Sequence, residues 1–112
     1  MVDTNLIKAL SDRIVREFRP ERIILFGSYA SGEPNEDSDI DLLVVLPFEG
    51  KAAYKAGEIR TKVRPEFPLD LIVRTPKQVA DRLAMNDWFM SDILSKGQVL
   101  YEADNARVGA EG

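Results

Sequence analysis

The chain has 112 residues, 15 Lys+Arg against 19 Asp+Glu, and neither His nor Cys, a length that suits one domain with a core of its own. Without Cys or His, a disulfide framework, a thiolate nucleophile, an imidazole base and a zinc site built on sulfur or nitrogen are excluded. The formal charge of −4 argues against sequence-independent binding to a nucleic acid backbone, and no apolar run approaches the roughly 20 residues of a membrane span.

The first segment, Met1-Val2-Asp3-Thr4, has no basic stretch leading into an apolar core, so no export signal is expected and the expected location is cytoplasmic. Asp3 or Thr4 can cap a first helix. Leu6, Ile7, Leu10, Ile14 and Phe18 recur at helical spacing along it, and Pro20 is expected to stop it. Arg22 to Phe26 is a short β-branched apolar run, predicted as a strand that Gly27 ends. Ser28 to Ser31 has room for one helical turn, and Gly32 to Asp37 is polar and loop-like. Asp39 to Leu46 is predicted as the second strand, Lys51 to Arg64 as a helix, and Leu69 to Val73 as the third strand. Thr75-Pro76 pairs an N-cap with proline at the first helical position, opening a helix to about Met85. Asn86 or Asp87 caps a further helix to Lys96, closed by Gly97, and Gln98 to Tyr101 is predicted as an edge strand. The order predicts an α/β (α+β) fold, a mixed central sheet flanked by helices. A single domain is expected over residues 1–102, with a flexible tail at 103–112.

The chemistry is concentrated around Gly27-Ser28 and Asp39-Ile40-Asp41. Side chains alternate across a strand, so Asp39, Asp41, Leu43 and Val45 share one face, and Ile40, Leu42, Val44 and Leu46 the other. The two acids would stand about 7 Å apart along the strand, repelling each other. A divalent cation is the simplest compensation. Asp70, near the start of the third strand, has the same parity, and the predicted helix between the strands is long enough for a parallel crossover. Three carboxylates would then converge on one patch. Hard oxygen ligands favour Mg²⁺ or Mn²⁺. An antiparallel pairing of the first two strands would bring Gly27 and Ser28 alongside. Gly27 permits close backbone approach, and the turn after it offers amides and the Ser28 hydroxyl to a phosphate. Such a constellation suits phosphoryl or nucleotidyl transfer. Trp88, Phe89, Ile93 and Met85 fall on one helical face and are expected to pack under the sheet, with an exposed partner-binding patch as the competing reading.

Leu25-Phe26-Gly27-Ser28-Tyr29-Ala30-Ser31-Gly32, followed by Ser38-Asp39-Ile40-Asp41-Leu42-Leu43-Val44, resembles the nucleotidyltransferases of the DNA polymerase beta superfamily. The length fits their minimal branch, the antitoxins paired with HEPN-type toxins. The resemblance implies ATP as donor and Mg²⁺ (or Mn²⁺) as cofactor, with Asp39, Asp41 and Asp70 as catalytic and metal-holding residues and Gly27 and Ser28 on the triphosphate. It implies AMP transfer to a hydroxyl, in that branch a tyrosine of the partner toxin. Partners would then be a HEPN-type toxin and a nucleoside triphosphate, in a homo- or hetero-oligomer, with no direct nucleic acid and no membrane. The alternative is a non-catalytic antitoxin that acts by binding alone. Transfer to a small molecule or to RNA is disfavoured by the acidic charge and by the lack of an acceptor domain. Many relatives carry Arg where this chain has Ser31, and Lys51, Lys55 or Arg74 are the candidate stand-ins. Tyr29 is given no role.

Overall fold

The computed structural model describes residues 2–104. Nine elements follow in chain order: α1 (Thr4–Phe18), β1 (Arg22–Phe26), α2 (Ser28–Ser31), β2 (Ile40–Val45), α3 (Ala52–Val63), β3 (Leu69–Arg74), α4 (Pro76–Ala84), α5 (Trp88–Lys96) and β4 (Gln98–Glu102). The strands form one sheet in the order β3-β2-β1-β4. β2 and β3 run parallel, as a helical crossover demands, while β1 is antiparallel to both β2 and β4. The mixed sheet and its helices are those the sequence predicts. No helix is long and apolar enough to cross a membrane, among the described residues.

Helix ends follow local chemistry. The Asp3 side chain accepts from the Asn5 amide at 2.8 Å and caps α1. Two helices share a stop signal: Arg19 before Pro20 and Arg64 before Pro65 both turn left-handed, at φ 48°. Proline disfavours right-handed helical conformation in the residue before it. Pro20 therefore ends α1 through its neighbour, at Phe18. Thr75 begins α4 with a reciprocal cap: its hydroxyl accepts from the Gln78 amide at 3.0 Å, and the Gln78 side chain accepts from the Thr75 amide at 2.9 Å. Thr75→Ala is expected to lower stability by about 1 kcal/mol in urea denaturation, without touching the site described below.

Strand alternation divides the interior into two layers. Ile40, Leu42 and Val44 of β2 join Leu69, Leu71 and Val73 of β3 beneath Leu10 and Ile14 of α1 and Ile59 of α3. Leu43 and Val45 face the other way and meet Ile24, Phe26, Val79, Met90 and Ile93, under α4 and α5. Each fully buried Leu or Ile contributes about 1.5–3 kcal/mol relative to exposure. β2 is thus apolar on both faces except at its beginning, which keeps this central strand in register and confines its polar residues to one end.

β3 lies at the sheet edge, where the half-buried Arg60 donates to the Leu69 carbonyl at 2.6 Å. That bond occupies an edge carbonyl and ties the start of β3 to α3. The Ala103 amide donates to the Glu21 carbonyl at 2.9 Å, holding the chain beyond β4 against the start of β1. The expected tail at 103–112 lies, from residue 105 onward, outside the described residues.

Candidate active site

Register assembles the acidic residues. Asp41 lies opposite Asp70 across the parallel β2–β3 pair and opposite Phe26 across the β1–β2 pair. Neighbouring strands are about 4.8 Å apart, nearer than two residues along one strand. The Asp70 carboxyl is accordingly close enough to act on the Asp41 carboxyl through its charge and as a hydrogen-bond partner. A bond between two carboxyl groups requires a proton on one of them. The Asp41 carboxyl is pushed up from 3.8 to about 6, first by burial, then by the charges of Asp70 and Asp39 and by that hydrogen bond. β2 begins at Ile40, so Asp39 stands one residue ahead of the strand and acts on Asp41 through space. Asp70 and Asp39 are exposed, while Asp41 is half-buried. Among the described residues, no three acidic side chains form a ready-made metal cage.

Gly27 closes the site from the β1 side. Its backbone sits at φ 74°, ψ −154°, a region essentially open to glycine alone. A methyl group there would overlap an Asp41 carboxylate oxygen. The chain then turns into α2, where the Gly27 carbonyl accepts from the amides of Ala30 and Ser31, both at 3.1 Å. The amides of Ser28 and Tyr29 lie in the unpaired first turn of α2 and have no protein acceptor among the described residues.

Two contacts that sequence reasoning missed hold this turn. The Tyr29 hydroxyl accepts from the Val2 amide at 2.9 Å, and the Gln98 side chain donates to the Ala30 carbonyl at 3.0 Å. Both cross long sequence separations, and no local pattern announces them. Tyr29 therefore anchors α2.

Ser31, where a cation is common in the resembled family, donates its hydroxyl to the Ser28 carbonyl at 3.0 Å. No Lys or Arg occurs between Ile23 and Gly50. Of the candidate stand-ins, Lys55 pairs with Glu58 at 3.4 Å and lies over the Phe18 ring at 5.3 Å, in the helical layer behind the other sheet face. Lys51 lies over the Tyr54 ring at 5.8 Å. Arg74 shares a face of β3 with Asp70 but stands roughly 13 Å further along the strand.

The structure corrects the expected packing of Trp88, Phe89 and Met85. Ile93 is buried, and the adjoining Met90 with it, but Trp88 is 75% exposed, Met85 71% and Phe89 44%. Asn86, at φ 59°, breaks the chain between α4 and α5, so Met85 is not on the same helix as Phe89 and the apparent spacing is interrupted. The Phe89 ring meets the edge of Phe26 at 5.8 Å between centroids, with planes at 83°.

The sequence pattern of the nucleotidyltransferase domain family matches residues 7–99. A Methanocaldococcus jannaschii protein, named by inference a protein adenylyltransferase, is 31% identical over 83 residues, covering 74% of this chain and 80% of its own. A second from the same organism, with the same kind of name, is 30% identical over 70 residues, 54% of this chain and 71% of its own. Among solved structures, a Sulfolobus solfataricus protein described as a nucleotidyltransferase by inference superposes with a TM-score of 0.63 at 20% identity, covering 89% of this chain and 80% of that one. A toxin–antitoxin structure solved with AMP-PNP gives 0.56 at 19% identity, covering 93% and 81%. A mutant of the toxin–antitoxin MntA-HpeT gives 0.52 at 19% identity, covering 99% and 82%. At these identities the structural likenesses establish the fold.

Proposed function

The chain belongs to the nucleotidyltransferase domain family, and from that premise we propose that it moves AMP from ATP to a hydroxyl of a partner protein. The acceptor is a tyrosine, and the partner is a HEPN-type toxin that this chain restrains as antitoxin. The observation that carries the reading is the Asp41–Asp70 pair set against Gly27.

The donor set fits a divalent cation. It is all oxygen, and burial, followed by the charges of Asp70 and Asp39, keeps the Asp41 carboxyl protonated well above its ordinary range; the charge part is an excess of negative charge that a cation relieves. Magnesium binds through one or two carboxylates, several waters and substrate phosphates, so a complete protein cage is not required. Asp41 and Asp70 would hold the ion, with Asp39 as the third acid. When bound, it neutralises charge on the phosphates during transfer.

The chain's own residues do the rest. Gly27 lets the backbone approach the triphosphate, and the unengaged amides of Ser28 and Tyr29, with the Ser28 hydroxyl, donate to phosphate oxygens. Asp70, exposed at the sheet edge, takes the proton from the acceptor hydroxyl. The acceptor oxygen bonds to the α-phosphorus, the bond from that phosphorus to the α–β bridging oxygen breaks, and pyrophosphate leaves with the electron pair. Holding donor and acceptor in line is the main work of such a site.

The test incubates the chain with magnesium, ATP labelled at the α-phosphate, and the polypeptide encoded beside it. Label is expected on a tyrosine of that polypeptide, and Asp39→Asn is expected to cut labelling on the order of 10²–10³-fold, the scale of removing one group that stabilises developing charge. Neutralisation of the partner without label would instead establish inhibition by binding alone, a reading that the lack of cations between Ile23 and Gly50 favours.

A further inference from the structure

α4 and α5 cover only part of the acid-bearing face of the sheet. Their buried side chains, Val79, Met90 and Ile93, pack on Ile24, Leu43 and Val45 and leave Asp41 and Asp70 at the open end. The Phe26–Phe89 contact is the border between the two regions: Phe26 is opposite Asp41 in register and next in sequence to Gly27. Beyond that border, Met85, Trp88 and Phe89 are three exposed large apolar side chains close together in sequence at the α4–α5 junction.

This surface is built rigidly. The Asp87 side chain accepts from the Met90 amide at 2.8 Å and pairs with Arg82 at 3.0 Å, fixing the junction of the two helices. Met85 also belongs to a groove of about 490 Å³ lined by Arg74, Gln78, Asp81 and Arg82, with Ala52. Two guanidinium groups meet here. Burial and the neighbouring Arg82 lower the Arg74 pKa. Arg74 donates to the Val73 carbonyl at 2.7 Å and has no carboxylate partner among the described residues. Asp81 is turned to Lys77, at 2.8 Å. An apolar platform therefore adjoins a cationic groove, on a protein of formal charge −4.

Resting on the reading that the acceptor is a polypeptide, we propose that Met85, Trp88 and Phe89 dock the acceptor chain by its apolar side chains while Arg74 and Arg82 take one of its carboxylates. The segment then crosses the Phe26–Phe89 border and delivers its hydroxyl to the Asp41–Asp70 pair. Charge complementarity selects an acidic, apolar segment over a basic one, and the prebuilt platform lowers the ordering cost of capture.

Trp88 is the sole tryptophan, so its fluorescence reports on this surface alone. The probe is a synthetic tryptophan-free peptide holding one tyrosine, leucines and aspartates. Controls replace its aspartates by lysine or its leucines by serine. The parent peptide is expected to shift Trp88 emission to the blue and saturate, with each control binding at least about fivefold more weakly. Met85→Ser is expected to weaken binding by a similar factor, and Arg74→Gln to remove the preference for aspartate over lysine. Neither variant should change affinity for magnesium-ATP, followed with a fluorescent ATP analogue. No emission change with the parent peptide, or equal binding of the lysine control, would overturn the proposal. So would a shift produced by magnesium-ATP alone, which would make the platform a nucleobase site. Saturable binding without AMP transfer would leave the docking surface standing and remove the transferase reading, so the two fail separately.

Discussion

Gly27→Ala is expected to abolish transfer and to cost about 2–4 kcal/mol of stability. Two effects combine. The backbone at φ 74°, ψ −154° excludes a side chain whatever the surrounding space. The added methyl group also overlaps the Asp41 carboxylate, which must rotate off Asp70. The first effect is felt mainly as stability, the second mainly as activity. A double-mutant cycle separates them: in an Asp41→Ala background the overlap is gone, and Gly27→Ala should then cost only the backbone share. Chemical denaturation of the four proteins measures both parts. An active Gly27→Ala protein with a normal melting temperature would show that the turn is adaptable and that Asp41 is not held by it.

The second large effect has opposite signs for activity and stability. Asp41→Asn is expected to reduce transfer on the order of 10²–10³-fold while making the metal-free protein more stable at neutral pH. The Asp41 carboxyl protonates at about 6 in the fold, against 3.8 as its ordinary value, so between these pH values the folded state holds a proton that the unfolded chain has released. Stability from this group is complete below pH 4 and is lost as pH rises through 6. On a half-exposed group the loss amounts to about 1–2 kcal/mol after solvent screening. Asparagine keeps the shape, donates to Asp70 and carries no charge. In magnesium-free buffer the wild-type melting temperature should therefore fall between pH 4 and pH 7 relative to the variant, and magnesium should restore it in the wild type alone. A variant less stable than wild type at pH 7.5 without magnesium would refute this account of the acidic pair.

Much of this architecture is legible in the residues. The stripe of Leu10 and Ile14, the alternation in β2 and the helical crossover to β3 are each set by spacing, and the observed layers and parallel pairing follow from them. What spacing could not convey was the ranking of neighbours. The sequence puts Asp39 and Asp41 side by side, yet in the fold Asp70 acts on Asp41 more strongly than Asp39 does. Asp39 falls outside the strand, and adjacent strands are closer than alternate residues. The apparent helical face through Met85, Phe89 and Ile93 misled for a related reason. Periodicity carries no information across Asn86, where the chain takes a left-handed conformation. The anchors of α2, Tyr29 on Val2 and Gln98 on Ala30, depend on segments brought together only by the complete sheet.

The partition of Asp41 and Asp70 between strands joined by α3 also has a kinetic meaning. A parallel pair closes late, because the intervening chain must be ordered before the pairing stabilises it. A nascent chain that has formed only the β1–β2 hairpin exposes a lone acid on a strand, with no opposing carboxylate. Competence for chemistry thus waits on the β2–β3 closure, and a chain that has made only the hairpin lacks the paired carboxylates.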